Sequence, residues 1–172
     1  MALYPRCLKK QRIITRDEYN QVCLSRKASI NEIMVFKFLC NTGLRASEFL
    51  SLTKCNISNG FLHIIGKGRK ARTIPLNKTV MQIIEQCPAL EFIESRHMCW
   101  LTCLCHRLAR LSNIEAFHPH SCRHYFANEL YHKGIPMHTV SRLLGHSKTE
   151  VTETVYVHWS EETLKGSTDL LE

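Results

Sequence analysis

Only one stretch of this chain leaves the helical period, and it limits the fold more than any other. "FLHII" and "ARTIPL" are two short β-type runs, and between them lies the basic, glycine-bracketed "GKGRK". Runs of this kind around such a turn predict a hairpin. Elsewhere apolar residues recur at spacings of three and four, which predicts helices. The expected fold is therefore mainly α with a small antiparallel β-sheet (α+β) near its first third. A chain of 172 residues with 44% hydrophobic content is long and apolar enough for one core.

The helix ends are marked as well. Thr15-Arg16-Asp17-Glu18 and Ser29-Ile30-Asn31-Glu32 both match the capping-box pattern, in which a hydroxyl and a carboxylate satisfy the free amides of a helix start. They predict helices over about 16–26 and about 30–41. The second carries Ile33, Met34, Phe36, Phe38 and Cys40, is apolar around much of its girth, and is expected to be buried. Gly43 is the expected stop, followed by a short helix over about 45–52. Further helices are predicted over about 78–86, 96–111, 121–133, 137–144 and 160–170. The 96–111 segment bears a stripe of Leu101, Leu104, Leu108 and Leu111.

Lys plus Arg number 23 against 15 Asp plus Glu, a net charge of +8, which suits a polyanion or an anionic membrane surface. No apolar run approaches the roughly eighteen residues of a membrane span. Nine scattered cysteines make a poor disulfide framework and read as reduced thiols of a cytosolic protein.

The densest chemistry lies in "HPHSCRHYF", three histidines and an arginine in nine positions. His120 and His124 are four apart, the spacing with which a helix offers two imidazoles to zinc. A hydrolase of that type needs a glutamate after the first histidine, and Ser121 stands there. Cys99, Cys103, Cys105 and His106 match no common zinc module. The other reading is an anion site, since His120 and Arg123, three apart, share a helical face. Arg45 at a helix start with Glu48 three residues on, Lys67 in the hairpin turn, His146 after a helix-stopping glycine and Tyr156 in "TVYVH" could serve the same site. Each alone has a bland alternative as a surface charge or a core aromatic.

Taken together and in order, "TGLRASEF", "GKGRKARTIPL", "HPHSCRHYFANEL" and "LLGHSKTEVTETVYVH" resemble the catalytic domain of the tyrosine recombinases, the phage and transposon integrases and Xer-type recombinases. Phe49, in place of a smaller aliphatic, and Asn56, in place of a frequent aspartate, are mild departures. The resemblance implies a fold like that of the DNA breaking-rejoining enzymes. It also implies site-specific recombination through a 3′-phosphotyrosine intermediate, with no cofactor and no metal. It assigns catalytic roles to Arg45, Lys67, His120, Arg123, His146 and Tyr156, the last as nucleophile. Lys67, Arg69, Lys70, Arg72 and Arg142 are the expected DNA contacts, with Glu48 and His124 in support.

The implied partner is double-stranded DNA carrying a specific site, with self-association into a tetrameric synaptic complex through the C-terminal helix and no membrane. The implied location is the cytoplasm of a prokaryote, on the nucleoid when DNA is bound. The expected organisation is one catalytic domain over 1–172, with its core at about 12–159, a terminal helix at about 160–171, and no N-terminal DNA-clamping domain. A non-cleaving DNA-binding module, or a zinc-containing interaction domain, is the alternative.

Overall fold

The structure, a computed structural model, describes residues 12–66, 71–86, 93 and 97–145. Both capping boxes close. The Thr15 hydroxyl accepts from the Glu18 amide at 3.2 Å while the Glu18 carboxylate accepts from the Thr15 amide at 2.8 Å. Ser29 and Glu32 repeat the exchange at 3.2 and 2.9 Å. These caps open α1 (Arg16–Cys23) and α2 (Ile30–Thr42). α1 stops three residues short of the predicted end. Leu24 is 79% exposed, so another turn would have buried nothing, and the chain must reach an extended Ser29 to start α2.

α2 is the axis of the fold. Val35, Phe36, Phe38, Leu39 and Cys40 are buried, and the helix packs against α1 and three later helices. It ends where predicted, at Gly43, whose φ of +63° is left-handed. A Cβ at Gly43 would lie 2.4 Å from a Phe126 ring carbon, so glycine is required on two counts. α3 (Ala46–Leu50) is shorter than predicted because Arg45 is its extended N-cap residue. Phe49 is fully buried against Phe38, at 5.7 Å between ring centroids, which explains the large side chain at that position.

The sheet has three antiparallel strands in the order β1 (Ile57–Ser58), β2 (Phe61–Ile65) and β3 (Ala71–Pro75), with Leu62 opposite Ile74 and Ile64 opposite Arg72. Leu62, Ile64 and Ile74 are buried, so one face covers the core. β1 was not predicted. It arises from the turn at Asn59 and Gly60, both at positive φ, which folds the chain back onto β2. Asn56 braces this edge: its carbonyl oxygen accepts from the Thr53 amide at 2.8 Å and its Nδ2 donates to the His63 carbonyl at 3.1 Å. An aspartate could do only the first.

α4 (Lys78–Gln86) and α7 (Met137–Leu144) have their predicted bounds. α5 (Met98–Leu111) begins two residues late, after an extended His97. α6 (Pro119–His132) begins two residues early, because Pro119 at its first position has no amide to satisfy and a φ already suited to a helix. Leu101, Leu104 and Leu108 of the leucine stripe are buried, and Leu111 is half-buried. Cys40, Cys105 and Cys122 lie in the core, where burial raises the Cys40 and Cys122 thiols; a hydrogen bond with Cys122, ahead of burial, raises Cys105. A smaller apolar cluster of Phe126, Ala127, Val140 and Leu144 fastens α7 to α6. Among the described residues no helix is long and apolar enough to cross a membrane. The predicted helix at about 160–170 lies outside the described residues.

Candidate active site

The site is built where three chain ends meet: the end of α2, the start of α3 and the end of α7. Each end exposes backbone groups that the helices themselves cannot satisfy. Arginines supply donors at the two C-terminal ends, and the Glu48 carboxylate accepts from the Arg45 amide at the start of α3. Arg123 in α6, only 2% exposed, donates from Nη1 to the Gly43 carbonyl at 2.8 Å and from Nη2 to the Leu144 carbonyl at 2.6 Å. Its cation thus sits at the negative ends of two helices at once, α2 and α7.

Arg45 approaches from the start of α3. Its Nη1 donates to Glu48 at 2.9 Å, its own amide donates to the second Glu48 oxygen at 2.8 Å, and its Nη2 reaches the Gly145 carbonyl at 3.4 Å. The side chain keeps 35% of its surface exposed, so its charge faces solvent beside the buried Arg123. His120, one turn before Arg123 on α6, is also exposed. Partial burial, and then the charges of Arg123, His118 and Arg45, hold its pKa below the usual value of 6.5. The imidazole is therefore neutral at pH 7 and able to accept a proton. His124, one turn later, is buried and packs edge-on against His120 with 4.5 Å between centroids, a supporting position.

Arg45, His120 and Arg123 are thus brought together, with Glu48 holding the first. Lys67, Arg69, Lys70, His146 and Tyr156 lie outside the described residues. Arg142 is exposed in the last turn of α7, compatible with the expected DNA contact.

Arg72, also expected at the DNA, points into the protein in this structure. Its side chain is 8% exposed, and its guanidinium meets Glu48 in a two-pronged pair, Nη1 to Oε1 at 2.8 Å and Nη2 to Oε2 at 2.7 Å. Its Nε donates to the Leu143 carbonyl at 2.9 Å. The side chain turns inward from β3, and these partners engage all of its nitrogens. Gly145, the expected helix stop, has φ +67°; what sequence reasoning missed is its second role, since a Cβ there would lie 2.9 Å from Arg72 Cδ. The zinc alternative loses its geometry too. Cys105 faces the core while Cys99, Cys103 and His106 of the same helix face solvent, and no three metal-ligating side chains gather among the described residues.

A family model described as the phage integrase family matches residues 11–163. The chain belongs to the phage integrase family. Within that family it is similar to "Tyrosine recombinase XerD" of Pasteurella multocida, 28% identical over 94% of this chain and 60% of the relative. The protein of the same name from Proteus mirabilis is 31% identical over 83% of this chain and 52% of the relative. The chain thus spans about half to three-fifths of the length of these relatives. Its fold is that of XerA recombinase, with a TM-score of 0.78 at 16% identity, covering 94% of this chain and 65% of the other. It is also that of XerH site-specific recombinase bound to palindromic difH substrate in a post-cleavage complex, with a TM-score of 0.76 at 19% identity, covering 95% and 54%.

The corner of Arg45, Glu48 and Arg72 has a built-in acid sensitivity. Burial alone would raise the Glu48 carboxyl, but the hydrogen bonds and charge of Arg72, with the amide and side chain of Arg45, outweigh it and hold the group at about 2 against an ordinary 4.5. A depressed carboxylate stabilises the fold fully above its unfolded value and loses that contribution as pH falls through the folded one. Unfolding by denaturant should show a loss on the order of 3 kcal/mol from this group between about pH 5 and pH 2. The Glu48→Gln protein, weaker at neutral pH, should lose less over the same descent; an equal loss would mean that Glu48 is not the titrating group.

Proposed function

We propose that this chain carries the catalytic domain of a site-specific tyrosine recombinase, cleaving and rejoining double-stranded DNA through a 3′-phosphotyrosine at Tyr156. The observation that carries this reading is the meeting of Arg45, Arg123 and His120 at one corner formed by three helix ends. An attacked phosphodiester gains charge on its non-bridging oxygens, and guanidiniums held in fixed positions stabilise that charge as it develops.

Tyr156, with an ordinary pKa near 10, lies about three units from ionisation at neutral pH, so full deprotonation would cost roughly 4 kcal/mol. A neutral His120 beside two arginines is suited to take that proton as the phenol attacks. The leaving 5′-oxygen needs a proton in return. Lys67, in the sequence between the two hairpin strands, is the proposed donor, and His146, which follows the helix-stopping Gly145 in sequence, is a further proposed hydrogen-bond donor to the phosphate. Arg69, Lys70 and Arg142 contribute charge toward the DNA backbone. The bond energy is kept in the protein–DNA ester, so rejoining by another strand's hydroxyl needs no nucleotide. The finer proposals follow from the same reading: tetrameric synapsis through the segment after Tyr156, and action in the prokaryotic cytoplasm on the nucleoid.

The test is covalent trapping on DNA of the type that such relatives recognise. The native chain should form a denaturant-resistant adduct with one strand, and Tyr156→Phe should form none while binding DNA as before. An adduct surviving in Tyr156→Phe would place the nucleophile elsewhere. No adduct with the native chain would favour a DNA-binding module that does not cleave.

A further inference from the structure

Three consecutive carbonyls at the end of α7 are each held by a different arginine: Leu143 by Arg72, Leu144 by Arg123 and Gly145 by Arg45. Two of these arginines belong to the proposed reaction. The third comes from β3 and is joined to Arg45 through a shared carboxylate, since Glu48 accepts from both guanidiniums. We propose that Arg72 is a positioning residue of this site, fixing the end of α7 and the base of the hairpin relative to Arg45. The inference rests on the recombinase reading for its chemistry and on the geometry for its wiring.

Several observations converge on it. Arg72 is nearly buried, and its charge is met by the Glu48 carboxylate inside the protein. All three of its nitrogens donate, to partners on two different elements, which only a planar guanidinium can do at once. It stands five residues after Lys67, at the strand end of the turn that carries the proposed acid, and its Leu143 bond lies three residues before His146. Gly145 is bare of a side chain at the place where Arg72 passes beneath it. A displacement of Arg72 would therefore reach Arg45, the hairpin and the residue before His146 together, whereas a phosphate contact would reach none of them.

Two measurements distinguish the roles, and the first does not depend on cleavage. Salt-dependent binding to duplex DNA is compared for the native chain, Arg72→Gln and Arg72→Lys. A residue facing inward leaves the slope of log affinity against log salt unchanged, and a slope lower by about one in Arg72→Gln would make it a phosphate contact and overturn the proposal. The second is single-turnover cleavage at saturating protein. Arg72→Lys keeps the charge but not the fork, and its cleavage rate should fall about tenfold or more with little change in DNA affinity.

Part of that loss should return on a substrate whose leaving group needs no proton, because the hairpin acid is one of the groups displaced. Combined with Glu48→Gln, the loss should be no greater than the larger single loss. Native cleavage rates in Arg72→Lys would overturn the proposal. If Arg72→Gln does not fold, Arg72→Lys carries the cleavage comparison alone. If the native chain forms no adduct at all, the recombinase reading fails, and the salt slope still decides which way Arg72 faces.

Discussion

Replacing Arg123 with alanine should cost the fold about 2–6 kcal/mol, because the Gly43 and Leu144 carbonyls would both lose a charged donor in a buried place. Denaturant unfolding of Arg123→Ala and Arg123→Lys measures this. The lysine variant should recover part of the loss, since an ammonium can reach one carbonyl but does not span both in the same geometry. The chemical loss should be larger than the structural one. Removing one donor to a developing oxyanion typically costs about a hundredfold to a thousandfold. Adduct formation should therefore fall at least that far in Arg123→Lys even under conditions where the protein is fully folded. A variant that is less stable but cleaves normally would show that Arg123 is only a brace between helices.

The second large effect is expected at Gly43, which touches no substrate in this scheme. A methyl group there meets the Phe126 ring at 2.4 Å on a backbone already in the left-handed region. Strain at φ and overpacking each cost roughly 1–3 kcal/mol, so Gly43→Ala should lose about 2–5 kcal/mol in stability. The consequence for activity follows from the Gly43 carbonyl, which is one of the two held by Arg123. Pushing α2 away from α6 moves that arginine relative to Arg45. Trimming the ring in Gly43→Ala/Phe126→Leu should restore part of both stability and cleavage, and a double variant no better than Gly43→Ala would mean that backbone strain alone is responsible.

Much of the scaffold could be read from local signals. The two capping boxes, the glycine stops at Gly43 and Gly145 and the hairpin strands all rest on residues within one turn of each other, and the structure has them where the sequence indicated. The misses were of two kinds. Pro119 as the first residue of α6, and the Asn59-Gly60 turn that creates β1, carried ordinary local signals that could have been used. The role of Arg72 had no such signal. A lone arginine in a strand next to a basic turn gives no indication of which way it points, and its carboxylate partner lies 24 residues earlier. Arg45, His120 and Arg123 were singled out because residue types in a known order indicated them. Why they meet, through carbonyls at helix ends, was visible only in three dimensions.

The bonds that gather this corner span 71, 80 and 100 residues of sequence. Local helices can form before such distant segments find each other, but the corner cannot, because each of its closures must overcome the entropy of a long loop. On a chain made from its N-terminus, α2, α3 and the sheet are complete by Pro75, whereas α7 begins only at Met137. Arg45 and Arg72 therefore emerge long before the carbonyls that will hold them. A chain interrupted before α7 retains its basic charge, much of its apolar core, and the Glu48 and Gly43 partners of its arginines, but it lacks the α7 carbonyls that bring all three to one place. Unfinished copies thus carry the arginines without the three consecutive carbonyls that complete their placement.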